Sequence, residues 1–375
     1  MPGHRPDVDP DGLQEFSVVF TDRSVNHMSQ KFQTAMRGIS TMLRDVYKAH
    51  AVAIVPGGGT YAMEAVARQF GVGKHALIVR NGWFSFRWTQ IFDMGGFAAK
   101  STVVMARQSG NAARSPYAPP PIAEVVAKIR AEKPDAVFAP HVETSAGLIL
   151  PDSYISAMAA AADEVGALMV LDCIASGAVW VDMQKTGVDV LISAPQKGWS
   201  ASPSAGLVML SKQAAERLDQ SASNSFALDL KKWRAITAAY EAGGHAYHAT
   251  MPTDALLGFR DAMVETQAIG FDTLKDAQWT LGKGVRAMLA AKGVASVAAE
   301  GFGAPGVVVS YTDDPEIQNG KKFLGAGLQI AAGVPLQVGE GAEFKTFRIG
   351  LFGLDKLTDV EATLARLKIA VDQVL

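Results

Sequence analysis

Two residues that could take part in covalent or acid–base chemistry each follow a short aliphatic run. Asp172 comes directly after residues 168–171 (LMVL), and Lys197 lies five residues beyond Ile192, where another run ends. A carboxylate at the end of a buried strand is costly without a partner, although helix caps and turns also use Asp there. Lysines in such loops are usually solvated. The separation of 25 residues between Asp172 and Lys197 allows one strand-loop-strand step, which brings both side chains to one edge of a sheet.

Two further loops with suggestive sequences follow predicted strands. Residues 56–60 (PGGGT) lie between a strand that ends at Val55 and a helix, so backbone N–H groups and the positive helix end suit a phosphate. A tight strand-to-helix turn is the more common explanation for a glycine triplet on its own. Residues 140–147 (PHVETSAG) form a polar loop after Ala139, for which helix capping is the alternative explanation.

These four sites are informative together because one cofactor needs all of them. Pyridoxal phosphate (PLP) requires an amine for its imine bond, a carboxylate for its protonated ring nitrogen, a surface for its ring and a cradle for its phosphate. Candidates for each role follow successive predicted strands. The combination predicts a PLP enzyme, with Lys197 as the Schiff-base lysine and Asp172 as the partner of the ring nitrogen.

The strands that position these loops are predicted from short β-branched or aliphatic runs. The runs lie at residues 51–55, 76–79, 102–105, 136–139, 168–171, 188–192 and 207–210. Segments with helical spacing lie between most of them, which predicts an α/β fold with a mostly parallel sheet covered on both faces. The connection before Leu207 is rich in Ser, Pro and Gly and too irregular for a crossover helix. The strand at 207–210 is therefore expected to run antiparallel.

The C-terminal part of the chain has a different pattern. After about residue 250 come predicted helices at 253–268 and 273–291, weaker strands near Val307 and Phe347, and a final helix from Thr358. This order predicts a smaller α+β domain. We expect a large PLP-binding domain over residues 17–252 and a small C-terminal domain over residues 253–375. The N-terminal arm (residues 1–16) is expected to belong to the small domain.

Composition argues against several classes of function. Apolar residues make up 49% of the 375 residues and charged residues 19%, the formal net charge is −2, and no basic cluster predicts nucleic-acid binding. The single cysteine, Cys173, cannot form an intramolecular disulfide and gives no reason to expect an oxidising compartment. No signal peptide and no membrane span are expected, because the N-terminus lacks an apolar stretch and no apolar run is long enough. We therefore expect a cytoplasmic protein.

Six sequence blocks occur in the order seen in one family of PLP enzymes. The blocks are residues 81–84 (NGWF), 141–147 (HVETSAG), 171–176 (LDCIAS), 193–197 (SAPQK), 247–252 (YHATMP) and 347–350 (FRIG). They resemble class V aminotransferases, most closely the alanine–glyoxylate and serine–pyruvate group. The resemblance spans roughly residues 20–355, and the block from Asp172 to Lys197 is its most specific part. It implies PLP fold type I, with a mostly parallel seven-stranded sheet and a smaller C-terminal α+β domain.

The resemblance implies how the cofactor ring is held. Lys197 would form the Schiff base and Asp172 would pair with the ring nitrogen, so both are the expected catalytic residues. Phe84 would stack on one ring face and Ile174 would support the other. Thr144 would lie near the phenolic oxygen or the nitrogen edge of the ring.

The resemblance also implies a phosphate site and a carboxylate site. The phosphate ligands would be Gly58, Gly59, Thr60 and Gln196. Arg348 would bind the substrate carboxylate, because a guanidinium binds carboxylates through two parallel hydrogen bonds. An Arg between Phe347 and Ile349 also fits the exposed face of a half-buried strand.

A homodimer with shared active sites is implied by the segment 243–252. In the family that the chain resembles, the positions that match Tyr247 and Thr250 reach across a twofold interface to the other subunit's cofactor phosphate. The alternative is that Tyr247 packs beneath the domain junction and Thr250 caps the next helix.

Three departures from the family pattern loosen the assignment of substrate. Residues 20–25 (FTDRSV) replace a segment that is often rich in Gly and Pro, and Phe84 stands where many relatives stack a Trp. Ala249 replaces a second His that is often found beside Tyr247. The cofactor chemistry is unaffected, and the resemblance gives the N-terminal arm no contacts with substrate.

The leading expectation is transamination between alanine or serine and glyoxylate or pyruvate. Transfer from 2-aminoethylphosphonate or ureidoglycine, or PLP-dependent lyase chemistry, is the alternative. The desulfurase form of lyase chemistry is disfavoured, because the lone Cys173 adjoins Asp172 and is expected to be packed. A non-enzymatic PLP-fold binding module ranks low, because the catalytic set is complete and no DNA-binding domain is appended.

Overall fold

The computed structural model describes Arg5 and residues 7–375 as a chain of alternating strands and helices. Among these residues the strands are, in chain order, β1 (Ala51–Pro56), β2 (His75–Arg80), β3 (Lys100–Met105), β4 (Arg107–Gln108), β5 (Tyr117–Ala118), β6 (Ala136–Pro140), β7 (Val142–Glu143), β8 (Leu148–Ile149), β9 (Leu168–Asp172), β10 (Val190–Ser193), β11 (Ala205–Leu210), β12 (Val307–Tyr311), β13 (Ala331–Ala332) and β14 (Thr346–Gly350). The seven runs predicted as strands of the large sheet are all present.

The large sheet has seven strands in the order β1-β11-β10-β9-β6-β2-β3. Strand β11 runs antiparallel to its neighbours β1 and β10, and the other neighbouring strands are parallel. The predicted antiparallel direction is therefore confirmed. Residues 194–204 contain no crossover helix, so the chain returns directly alongside β10.

Helices cover the sheet and build the C-terminal part. In the described chain they are α1 (Gln30–Tyr47), α2 (Gly59–Phe70), α3 (Trp83–Gly95), α4 (Ile122–Glu132), α5 (Asp152–Glu164), α6 (Met183–Thr186), α7 (Lys212–Gln220), α8 (Leu230–Glu241), α9 (Thr253–Ile269), α10 (Phe271–Ala291), α11 (Pro315–Gln318), α12 (Lys321–Gly325), α13 (Leu354–Leu357) and α14 (Val360–Val374). Strands β6, β9, β10 and β11 are buried at every residue. Because successive strand residues face opposite sides, both faces of the sheet are covered.

The N-terminal arm has no regular secondary structure where the structure describes it. Residues 7–29 form neither helix nor strand, and Ser29 caps the N-terminus of α1 by accepting the Phe32 N–H. The expectations for the arm and for the absence of a signal peptide fall partly on residues 1–4 and 6, which lie outside the described residues. None of the helices in the described part of the chain is long and apolar enough to cross a membrane.

The C-terminal part contains the predicted second sheet and its own apolar cluster. Strands β12, β14 and β13 form an antiparallel sheet with β14 in the centre. Helices α10 and α14 pack together beside it. Helix α9, however, packs against α1, and its residues Leu256, Phe259 and Met263 belong to the apolar core of the large sheet. The division between residues 252 and 253 stays a prediction.

Candidate active site

The carboxyl ends of β9 and β10 bring the predicted lysine and carboxylate to one edge of the large sheet. The two strands are parallel neighbours, and Ile192 of β10 lies opposite Asp172 of β9. Lys197 follows the end of β10 by four residues. Adjacent parallel strands end at the same edge of a sheet. Asp172 and Lys197 are therefore close enough for the charge of each to act on the pKa of the other.

Asp172 is a buried carboxylate, with 7% of its surface exposed. Burial raises its pKa to about 6, whereas the Ile174 N–H, 2.9 Å from Oδ1, and the charge of Lys197 favour the ionised form. A buried carboxylate is stabilised when a cation lies beside it. The environment of Asp172 thus suits a ligand that presents a positively charged ring nitrogen.

Lys197 is half-buried between two aromatic side chains. Its Nζ lies 6.0 Å from the ring centroid of Phe84 and 5.6 Å from that of Phe352. Burial lowers the pKa of Lys197, and the negative charge of Asp172 opposes that shift. A lowered pKa increases the fraction of neutral amine, which is the form that attacks a carbonyl group.

The glycine-rich loop after β1 leaves space at the N-terminus of α2. Gly57 has a φ of +117°, which residues with side chains rarely adopt, and its N–H donates to the Ser204 carbonyl at 2.9 Å. A Cβ on Gly59 would lie 2.5 Å from Cδ1 of Ile174, so the close approach of Ile174 requires glycine there. A Cβ on Gly58 would meet no atom within 4 Å. The N-terminal end of α2 therefore faces open space, as an anion site requires.

The other predicted cofactor ligands lie in loops and turns around this edge. Thr60 is in the first turn of α2, and its hydroxyl oxygen accepts a hydrogen bond from Nη1 of Arg87 at 3.2 Å. Gln196 is exposed and directly precedes Lys197. Thr144 is buried in the turn between β7 and β8, which form a short antiparallel pair. Their contacts with a cofactor stay a prediction.

The first turn of α3, which carries Phe84, is held by the buried carboxylate of Glu143. Glu143 is 0% exposed and accepts hydrogen bonds from three backbone N–H groups, those of Phe84, Ser85 and Ser145. It also accepts from the hydroxyls of Ser85 and Ser145, each at 2.7 Å. These donors compensate for the burial of the charge, and the positive end of α3 adds to them. Glu143 thereby holds the backbone of the turn that carries the Phe84 ring.

We expect Glu143→Gln to destabilise the chain and to loosen the Phe84 turn. The amide keeps the shape of the side chain, but it loses the charge. Its NH₂ group also faces N–H and O–H groups that need an acceptor. The expected loss in the free energy of unfolding is about 2–4 kcal/mol, measured by urea unfolding without cofactor. Glu216→Gln is the matched control, because this carboxylate is 64% exposed in an i,i+4 pair with Lys212. Equal stability of the two variants would contradict the assigned role of Glu143.

Arg348 reaches the site from the central strand of the second sheet. It lies opposite Val309 of β12 and Ala331 of β13. Its Nε donates to the Ala332 carbonyl at 2.8 Å, and its Cζ lies 5.5 Å from the ring centroid of Phe84. The bond through Nε orients the guanidinium and leaves the Nη1 and Nη2 pair to bind a carboxylate. The side chain is half-buried, between the buried Phe347 and Ile349, and its role in binding a carboxylate stays a prediction.

Tyr247 and Thr250 lie on the surface, apart from this cluster. Tyr247 is 53% exposed, its hydroxyl lies 3.2 Å from Oγ1 of Thr250, and its ring centroid lies 5.5 Å from that of His27. The N-cap of α9 is Pro252, so the alternative that Thr250 caps this helix is wrong. Neither side chain forms a hydrogen bond or ring contact with Lys197 in the described chain. Their role in a shared site stays a prediction.

The structure adds Arg87 and Phe352 to the surroundings of Lys197, and sequence reasoning missed both. Arg87 follows Phe84 by three residues, and its Cζ lies 4.8 Å from the Phe84 ring centroid. The i,i+3 spacing from Phe84 to Arg87, which places both on one face if the segment is helical, was the available signal for Arg87. Phe352 follows the block around Arg348, and only the tertiary contact with Lys197 gives it a place in the site.

Cys173 is buried, as expected. It is 2% exposed, and burial raises the pKa of its thiol well above the usual value. Only the thiolate is strongly nucleophilic, so a buried thiol with a raised pKa is unreactive. This environment disfavours the desulfurase alternative.

The features at this sheet edge fit a phosphorylated aromatic aldehyde. The end of α2 is open to an anion, Phe84 offers a ring surface, Asp172 suits a cationic ring nitrogen, and Lys197 supplies an amine. The fold and the site define a PLP-dependent enzyme of fold type I. Residues 13–324 match the Aminotransferase class-V family, and the chain belongs to this family of PLP-dependent aminotransferases.

Two relatives and one solved structure are similar to this chain over most of its length. The soluble hydrogenase small subunit of Synechococcus sp. (strain PCC 6716) is 26% identical over 350 residues, which cover 92% of this chain and 88% of that protein. The 2-aminoethylphosphonate–pyruvate transaminase of Burkholderia ambifaria is 26% identical over 326 residues, which cover 84% and 80%. The crystal structure of alanine–glyoxylate aminotransferase from Nostoc sp. aligns with a TM-score of 0.78 at 22% identity and covers 93% and 89% of the two chains. The predicted fold type is confirmed.

Proposed function

We propose that this aminotransferase moves an amino group between a small amino acid, alanine or serine, and a small 2-oxo acid, glyoxylate or pyruvate. The observation that carries the proposal is the position of Arg348, oriented by Ala332 beside a site with the aromatic walls Phe84 and Phe352. A guanidinium there suits the carboxylate that amino acids and oxo acids share. The Nostoc structure, named for alanine and glyoxylate, supports this choice, whereas the Burkholderia relative is named for another donor.

Lys197 and Asp172 would carry the chemistry. Bound PLP supplies a protonated aromatic ring that withdraws electrons from the bonds of the substrate α-carbon. Lys197 would hold the cofactor until the substrate amine takes its place, and its Nζ would then move the proton at the α-carbon. The lowered pKa of Lys197 favours the neutral amine that this step needs. Asp172 would keep the ring nitrogen protonated through its negative charge.

Other residues would bind and orient the cofactor. The phosphate would lie at the N-terminal end of α2, with the ligands Gly58, Gly59, Thr60 and Gln196. Phe84 and Ile174 would cover opposite ring faces, and Thr144 would contact the phenolic oxygen or the nitrogen edge. The close approach of Ile174 to Gly59 supports this arrangement, because the residue proposed to cover the ring lies beside the loop proposed to bind the phosphate.

A half-reaction screen tests the proposed substrates. The holoenzyme is mixed with alanine, serine, aspartate, 2-aminoethylphosphonate or ureidoglycine, and the loss of cofactor absorbance and the formation of oxo acid are followed. We expect alanine or serine to react at least about tenfold faster than the others, the discrimination that pocket contacts commonly provide. A faster reaction of the phosphonate or of ureidoglycine would overturn the substrate assignment and leave the aminotransferase class unchanged. Elimination products without amino transfer would support the lyase alternative.

We expect Arg348→Ala to weaken both the amino-acid donor and the oxo-acid acceptor and to leave PLP affinity unchanged. The loss of one charge-assisted contact should raise the activation free energy for kcat/KM by roughly 2–5 kcal/mol for each substrate. Arg348→Lys keeps the charge without the planar fork, so a smaller loss is expected. The measurement is kcat/KM for alanine and for glyoxylate, together with the dissociation constant of PLP. Unchanged kinetics for both substrates would limit Arg348 to its contact with Ala332.

We infer that the active enzyme is a homodimer in which Tyr247 and Thr250 of each subunit complete the site of the other. Their mutual hydrogen bond and the 53% exposure of Tyr247 support this inference, because an exposed aromatic side chain with an ordered hydroxyl is typical of interfaces. A twofold axis would make the exchange reciprocal.

Subunit mixing tests the shared site. Tyr247→Ala and Lys197→Ala proteins, each of low activity, are unfolded, mixed and refolded together. Random pairing of equal amounts makes about half of the dimers heterodimers, and one of the two sites in each heterodimer has both native residues. About a quarter of wild-type activity is therefore expected. Each variant refolded alone is the control. A monomer in sedimentation with full activity, or no recovery in the mixture, would contradict shared sites.

A further inference from the structure

Arg87 links two helices that both contribute to the site. It lies on α3 one turn after Phe84, and its Cζ is 4.8 Å from the Phe84 ring centroid. Its Nη1 donates a hydrogen bond of 3.2 Å to the hydroxyl oxygen of Thr60, in the first turn of α2. The guanidinium is thus held in position by a ring on one side and a hydroxyl on the other.

The charge of Arg87 has no acidic partner in the described chain. Its contacts there are the Thr60 hydroxyl and the Phe84 ring, and no carboxylate forms an ion pair with it. Arg68, further along α2, instead pairs with Glu64. A cation that forms no direct ion pair, beside the open end of a helix, attracts an anion.

We propose that Arg87 is a determinant of phosphate binding, acting on the cofactor phosphate through the Thr60 hydroxyl and through its own charge. The inference rests on the proposed function, which puts the phosphate at Gly58, Gly59 and Thr60. None of the sequence motifs assigned Arg87 a role.

The direction of the Arg87–Thr60 hydrogen bond supports this role. Arginine can only donate, so the Thr60 oxygen accepts and the hydroxyl hydrogen remains available for a phosphate oxygen. Hydrogen bonds in such a chain polarise one another, and each becomes stronger. The charge of Arg87 also acts on the reacting groups. Burial lowers the pKa of Lys197 and Arg87 lowers it further, whereas burial raises the pKa of Asp172 and Arg87 opposes that rise. A phosphate dianion in contact with Arg87 would offset that effect.

Cofactor binding with and without a phosphate tests the proposal. Cofactor-free wild type, Arg87→Met, Thr60→Val and the double variant are titrated with PLP and with pyridoxal, which lacks the phosphate. Arg68→Met is the matched control, because it removes an arginine from α2 that lies 5.1 Å over the Phe97 ring and makes no contact with Thr60. Circular dichroism and thermal unfolding verify that each variant is folded. Competition between inorganic phosphate and PLP gives a second measurement.

We expect Arg87→Met to raise the dissociation constant of PLP by roughly 10- to 100-fold, the usual effect of losing a hydrogen bond to a charged group. Pyridoxal affinity should change by less than about threefold, and inorganic phosphate should compete less well. The double variant should lose less than the product of the single losses, because Arg87 and Thr60 act as one unit. Arg68→Met should match wild type for both ligands.

Two results would overturn the proposal. Equal losses for PLP and pyridoxal would assign Arg87 to the support of the Phe84 ring, and an unchanged PLP affinity with unchanged phosphate competition would remove it from the site. Failure of wild-type protein to bind PLP at Lys197 would instead refute the proposed function and this inference with it. The two failures are therefore distinguishable by the wild-type titration alone.

Discussion

Lys197→Ala will lose all borohydride-trappable cofactor, and its transamination rate will fall by roughly 10⁴-fold or more, because one change removes both the covalent attachment and the proton-transfer group. The structural reason is the environment of Nζ. It lies 6.0 Å from the ring centroid of Phe84 and 5.6 Å from that of Phe352, and burial lowers its pKa. Among the described lysines, Lys197 combines a pKa that burial lowers with two aromatic rings beside its Nζ.

The measurement is borohydride reduction of the holoenzyme, followed by peptide mapping of the pyridoxyl label. Wild-type protein should carry the label on Lys197. Lys212→Ala is the control, because the Lys212 side chain is 78% exposed, and it should keep full label and activity. A label on another lysine, or wild-type turnover in Lys197→Ala, would refute the assignment.

Asp172→Asn will reduce transamination by roughly 10²- to 10³-fold, the typical effect of removing one preorganised electrostatic group from an active site. The amide has nearly the same shape, but it has no charge to keep the ring nitrogen protonated. The cofactor-free variant should be as stable as wild type at neutral pH or more stable. A buried carboxylate whose pKa is raised to about 6 is ionised there against the cost of burial, whereas the amide is neutral.

The raised pKa of Asp172 also gives the sign of two pH dependences. Its value of about 6 in the folded chain exceeds the ordinary 3.8, so the folded chain binds the proton more tightly than the unfolded chain. The contribution of Asp172 to stability without cofactor is therefore full at low pH and falls as the pH rises from 3.8 to about 6. Cofactor affinity should show the opposite trend, because the proposed pairing with the ring nitrogen needs the ionised carboxylate. We expect it to fall by up to about tenfold per pH unit below pH 6.

Titrations of PLP between pH 5 and 8 check this prediction, with thermal unfolding of the cofactor-free chains over the same range. In Asp172→Asn the fall in affinity below about pH 6 should disappear, since the titrating group is gone. Near wild-type turnover in Asp172→Asn with cofactor bound would refute the role of the carboxylate. An unchanged pH profile of PLP affinity in the variant would assign the titration to another group.

The sequence by itself determined the elements that carry the site. Aliphatic runs of four or five residues are long enough to be recognised locally, and they predicted the seven strands of the large sheet. The irregular connection before Leu207 predicted the reversal at β11. Asp172 and Lys197 could be placed at the ends of successive strands, because the sequence itself shows which residues follow each predicted strand. The glycines of residues 57–59 predicted a phosphate loop or a tight strand-to-helix turn, and the φ of Gly57 and the contact between Gly59 and Ile174 explain why glycine is needed at two of these positions.

Only the tertiary structure decided how the side chains around these ends are held. Glu143 and the Ser85 N–H that it binds are 58 residues apart, and Arg87 and Thr60 are 27 residues apart on different helices. Strand β13, which supplies the carbonyl for Arg348, has two residues and no apolar pattern of its own. Such contacts depend on distances between elements, which hydrophobic periodicity does not encode. Periodicity specifies which face of an element is buried, but the packing of whole elements decides which polar groups meet.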